Sequence, residues 1–78
     1  MSVVAERLKA CFQAAFPDVP AERLVELEAA NHPAWDSMTM VVLVNLVQEE
    51  FGVEVPPEDV AELLSFASFR DYLASRVV

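Results

Sequence analysis

The chain has 78 residues and carries 5 lysines and arginines against 13 aspartates and glutamates, a net charge of −8. That balance argues against nucleic acid, whose phosphates need a basic face, and against insertion into or binding to an anionic membrane. The length allows one domain, residues 1–78, that buries roughly 60% of its unfolded surface, so a 55% apolar composition should leave some apolar surface exposed for docking or for an apolar guest.

Basic protein surfaces are the natural partners of so acidic a monomer, with charge mainly speeding and orienting encounter. Cys11 is the only cysteine, so no internal disulfide forms and a reducing, cytoplasmic setting fits. The opening MSVVAERLKACF has charges at Glu6, Arg7 and Lys9 within its apolar pattern, unlike a signal peptide. The longest apolar run, Met40 to Val44, is too short to span a bilayer.

Val4, Leu8, Cys11, Phe12, Ala15 and Phe16 recur at helical steps, which predicts a first helix over about 3–15 with Ser2 as its N-cap and Pro17 beyond its end. Residues 16–36 read as a long irregular loop punctuated by Pro17, Pro20 and Pro33, with AERLVEL as a short helical turn. Leu24, Val25 and Leu27 are its candidate anchors, and loops of this length are usually functional or packed on themselves. The second helix is expected from Asp36/Ser37 to Phe51, closed by Gly52. VVLVNLV taken alone could be a strand, but length, cap residues and the terminal glycine favour a helix. Pro56 and Pro57 open a short helix over about 57–64 with Val60, Leu63 and Leu64. Ser65 caps a last helix over about 66–76, with Phe66, Phe69, Leu73 and Val77 on its stripe and Tyr72 beside it. The result is an all-α fold, a small four-helix bundle with three major helices, one short helix and a long loop between helices 1 and 2.

Little in the chain suggests catalysis. One histidine, one cysteine and no acidic calcium loop give no metal-site spacing. His32 could activate Ser37 or Cys11 only if an acid oriented it, and none is placed to do so; it reads as a polar loop residue. Cys11 lies on the apolar stripe of helix 1 and reads as a small core residue. Asp36 and Ser37 are different. A helix needs one N-cap, and Met40, three residues after Ser37, cannot complete a capping box. If Asp36 caps, Ser37 falls at the first helical position. There its hydroxyl either supplements the cap or faces outward, beside backbone N–H groups and the positive end of the helix dipole, where a phosphate ester is favoured.

Asp36-Ser37-Met38 resembles the D-S-L/M phosphopantetheine attachment motif of acyl and peptidyl carrier proteins. The resemblance covers nearly the whole chain: ERLKACFQAAFP is similar to that family's first helix, LVQEEFGVEVP to the end of its second, and SFASFRDYL to the start of its last. It implies an acyl-carrier-protein-like bundle that is a cosubstrate and not an enzyme. Ser37 would be esterified by 4′-phosphopantetheine from coenzyme A, making the chain a phosphoprotein, and Asp36 would help engage the metal site of the phosphopantetheinyl transferase. Cargo would be held as a thioester, loaded by an acyl or aminoacyl ligase and delivered to transferase or synthase enzymes of a fatty-acid, polyketide or other specialised pathway. Met38 would be a core residue.

Two departures bear on partner choice. Carriers of the fatty-acid type place acids on the outward face just after the serine, where this chain has Thr39 and Val42. Ala34 stands where a glycine is frequent, and Trp35 adjoins the site either as a lid over the loop or as a ligand contact. Recognition is therefore expected to use Trp35, Met38, Thr39, Met40 and Val42, with charge confined to Glu49 and its neighbours, which suggests a dedicated carrier. An aminoacyl or peptidyl carrier is one alternative, and an unmodified acidic helical interaction module is another.

Overall fold

The computed structural model of the protein describes residues 3–76. Four α-helices follow in order: α1 (Val3–Ala15), α2 (Ser37–Phe51), α3 (Pro57–Val60) and α4 (Phe66–Ala74), with two short 3-10 turns, Ala21–Glu26 and Ala29–Asn31, in the loop between α1 and α2. The architecture is the all-α one expected of a carrier-protein bundle. Ser2 and Val77 lie outside the described residues.

The end of α1, both ends of α2 and the start of α4 fall where their residues dictate. In α1, Leu8, Cys11 and Phe12 face inward, and the chain leaves the helix just ahead of Pro17. In α2, the Asp36 side chain caps the start and Gly52 closes the end at φ 65°, donating its N–H to the Gln48 carbonyl at 2.9 Å. The strand reading of VVLVNLV is excluded by this helix. The Ser65 hydroxyl accepts the Ser68 N–H at 3.0 Å and starts α4.

The short third helix ends at Val60, four residues earlier than its apolar spacing suggests. The chain tightens there: Glu62 and Leu63 donate to the carbonyls of Asp59 and Val60, only three residues back. It then pairs with the loop, the Ala29 N–H donating to the Leu64 carbonyl at 2.8 Å and the Phe66 N–H to the Leu27 carbonyl at 3.0 Å. This bridge satisfies backbone groups that a longer helix would have used itself. α4 likewise ends at Ala74, two residues short of the expected boundary. In the loop, Leu24 is buried and Leu27 half-buried, but Val25 is 43% exposed and anchors nothing.

The core is aromatic at its centre. The Phe12 ring meets Phe66 at 5.0 Å, Phe69 at 5.5 Å and Trp35 at 5.6 Å between centroids, all near edge-to-face. Such pairs add about 0.5–1.5 kcal/mol each beyond their area burial. α2 contributes Leu43, Val44, Val47 and Phe51 to this core, and α4 contributes Phe66, Phe69 and Leu73. Burying each large apolar side chain stabilises by roughly 1.5–3 kcal/mol. The ion pairs, all with substantially exposed partners, contribute about 0–1 kcal/mol each. Apolar packing therefore decides the fold, and the polar contacts orient elements. Arg7 stacks over Phe51 at 4.6 Å and bonds Glu50 at 2.8 Å, pinning α1 to the end of α2. Tyr72 donates its hydroxyl to Asp59 at 2.7 Å, pinning α4 to α3.

Candidate functional site

The start of α2 is built by Asp36. Its backbone is extended (φ −101°, ψ −174°), its Oδ1 accepts the Thr39 N–H at 2.9 Å, and its carbonyl accepts the Met40 N–H at 2.9 Å. Hydrogen bonds from Thr39, the backbone one foremost, hold the Asp36 carboxyl below the usual aspartate range. The cap is thus complete without Ser37. Ser37 is the first residue of α2, exposed, and its hydroxyl has no hydrogen-bond partner among the described residues. It stands at the positive end of a 15-residue helix. An outward hydroxyl in that field can accept a phosphate ester with no loss to the cap.

Ser37 also lines an apolar cleft of about 270 Å³. One wall is Trp35 and Met40; the other is Val60, Ala61 and Leu64 from α3 and the turn after it, with Ala29 at one end. A larger depression of about 500 Å³ runs along the loop from Asp18 to His32 and does not include Ser37.

The remaining candidate residues separate into core and surface. Trp35 is 7% exposed, its ring packed on Phe12 and Phe16 and its Nε1–H donating to the Met40 sulfur at 3.3 Å. It is a core residue whose edge closes the bundle beside Ser37. Met38, expected in the core, is 79% exposed. Packing against α1 turns Met40, Leu43, Val44 and Val47 inward, and Met38 is about 200° around the helix from Met40. Thr39 and Met40 are half-buried, while Val42 and Glu49 are exposed. Val41, 60% exposed, and Leu64, 55% exposed, are further exposed apolar residues that the sequence did not single out as site residues. Val41 was findable, standing three residues after Met38 and four after Ser37 on one helical face. The outward face of α2 is therefore Ser37, Met38, Val41 and Val42, then Asn45, and only then Glu49.

His32 packs its ring edge on Phe16 at 5.2 Å and hydrogen-bonds neither Ser37 nor Cys11. Cys11 is buried, its thiol directed to the Leu46 carbonyl at 3.7 Å, and burial pushes its pKa up to about 11, so it is a neutral core group at physiological pH. Among the described residues no three histidine, cysteine or acidic side chains are grouped to hold a metal ion, and no helix is long and apolar enough to cross a membrane.

The family model for the phosphopantetheine attachment site matches residues 35–73, half of the chain, from the residue before the cap to the inward face of α4. The chain belongs to this family of phosphopantetheine-bearing carrier domains. Such a domain is the site of covalent 4′-phosphopantetheine attachment and acts as a carrier. The exposed hydroxyl at the α2 N-terminus and the apolar cleft beside it fit that group.

Proposed function

We propose that Ser37 bears the 4′-phosphopantetheine arm and that the chain is a non-catalytic acyl carrier, delivering its cargo to enzymes of a fatty-acid, polyketide or other specialised biosynthetic pathway. The observation that carries the reading is the division of labour at the helix start: Asp36 caps, and the neighbouring Ser37 hydroxyl is exposed and uncommitted. In the modification, Ser37 Oγ forms the new bond to phosphorus, the coenzyme A pyrophosphate bond breaks, 3′,5′-ADP leaves, and the hydroxyl proton passes to a base of the transferase. Once attached, the arm supplies a thiol on which cargo is held as a thioester. The residues of this chain orient the ester and present α2 to successive partners: the phosphopantetheinyl transferase, a loading ligase, and a transferase or synthase.

The test is incubation with coenzyme A and a broad-specificity transferase. One arm is added per chain in wild type and none in Ser37→Ala. Modification that persists in the variant overturns Ser37 as the attachment point, and failure in wild type with several transferases returns the protein to an unmodified acidic interaction module.

The second reading is an aminoacyl or peptidyl cargo, and the docking face bears on which enzyme loads it. The outward face of α2 is apolar through Met38, Val41 and Val42 and has no acid before Glu49. A loading enzyme for this carrier needs an apolar depression where partners of acidic carriers need a basic one. Loading assays with an acyl and an aminoacyl ligase, run on the same arm-bearing protein, separate the two.

A further inference from the structure

The space beside Ser37 and the packing behind it constrain what the arm can carry. The cleft is shallow; its 270 Å³ falls below the range of about 300–1,000 Å³ typical of pockets that enclose a small molecule. Its lining includes Trp35 and Met40 but none of the phenylalanines of the bundle centre. Trp35 stands between the cleft and that centre. It is held from three sides, by Phe12 at 5.6 Å, Phe16 at 5.5 Å and Phe69 at 6.4 Å, and its Nε1–H is engaged by the Met40 sulfur. Behind it Phe12, Phe66 and Phe69 are each no more than 1% exposed. A chain entering the bundle from Ser37 must displace the indole and separate these rings at once.

Resting on Ser37 as the attachment point, we propose that Trp35 is a specificity-determining plug that keeps cargo out of the bundle, so that this carrier is built for a short acyl or aminoacyl group. Such a group stays in the cleft between Met40 and Leu64 or in solvent. A long alkyl chain has no interior to enter and remains exposed, which makes it a poor cargo. Trp35 acts by occupying space next to the attachment point, and a smaller side chain there opens the passage.

The experiment loads the wild-type chain with acetyl, butyryl, octanoyl and dodecanoyl pantetheine arms from the corresponding coenzyme A thioesters, with mass spectrometry recording each product. Trp35 is the only tryptophan, so its emission reports on the plug directly. The expected result is an emission maximum independent of chain length and a Tm that does not rise beyond butyryl. In Trp35→Leu and Trp35→Ala the Tm rises with chain length, because the vacated volume is filled by cargo. A wild-type Tm that climbs steadily to dodecanoyl, or an emission maximum that shifts with chain length, overturns the plug while leaving the attachment site intact. Absence of any mass gain at Ser37 overturns the attachment reading and this inference with it.

Discussion

Asp36 and Ser37 are adjacent polar residues with separable tasks, and substitution can take them apart. Asparagine caps a helix about as well as aspartate, whereas alanine does not. Asp36→Asn should therefore keep a Tm close to wild type, and Asp36→Ala should lower it. If Asp36 also engages the metal site of the transferase, both variants are modified more slowly, and the asparagine form shows this loss without instability. An asparagine variant modified at the wild-type rate would confine Asp36 to capping. Its lowered pKa adds a pH signature: the stabilisation is present above the unfolded value of 3.8 and is lost as pH falls through the folded one, so Asp36→Asn flattens the acid limb. Cys11 works in the opposite range. Burial, then the Glu50 charge, raises its pKa from 9.0 to about 11, with Arg7 opposing. Its contribution is full below pH 9 and is lost as pH rises toward 11, at a slope of up to about 1.4 kcal/mol per pH unit for one proton. Denaturant melts of Cys11→Ala between pH 8 and 10.5 should show a shallower decline. It will not be flat, since burial and the hydrogen bond to Asp59 also raise the Tyr72 pKa above 10.0. An unchanged slope would mean that the thiolate finds solvent without unfolding.

At the scale of elements, α2 was legible in the sequence because both its ends are chemical signals: a side-chain cap before Ser37 and a glycine at positive φ after Phe51. Gly52 has open space where a Cβ would stand, so Gly52→Ala is a test of backbone strain alone, expected to cost roughly 1 kcal/mol and read as a lower denaturation midpoint. What the sequence concealed was the rotation of this helix. Met38, Met40, Val41, Val42, Leu43 and Val44 are all apolar, so hydropathy does not choose the inward face; packing against α1 does. The true end of α3 was concealed for a related reason. The Ala29–Leu64 and Leu27–Phe66 bonds that stop it join segments far apart in sequence, and local periodicity carries no trace of them. The site was legible as the pair Asp36-Ser37, but the cleft beside it required the loop and α3 to be placed together. The exposed face yields its own prediction. Val41→Glu and Val42→Glu leave Tm nearly unchanged, as substitutions at exposed positions do. They should lower kcat/KM of the cognate loading enzyme through KM while leaving Ser37 modification in place. Equal loading of both variants and wild type would remove this face from the docking surface.

At the scale of the whole molecule, charge opposes the packing. Glu49, Glu54, Glu58 and Glu62 are exposed around the end of α2 and α3, and none of them belongs to an ion pair among the described residues. The molecule measures 31 × 29 × 18 Å. At 10 mM salt the screening length is about 30 Å, so nearly every charge feels every other, and a net −8 repels itself across the whole domain. At 100 mM it is about 10 Å and only neighbours interact. Two effects then compete. Salt weakens the four surface pairs found among the described residues, worth about 0–1 kcal/mol each, and it also weakens a repulsion summed over eight uncompensated charges. The excess of acids decides the sign: Tm at pH 7 should rise between 10 and 200 mM sodium chloride, and millimolar magnesium should produce the same rise at far lower ionic strength. Glu58→Gln removes one exposed acid and should raise Tm at 10 mM salt, with the gain shrinking as salt is added. A Tm that falls with salt, or a Glu58→Gln effect of the same size at low and high salt, would show that the ion pairs outweigh the repulsion and that the acidic surface costs the fold nothing.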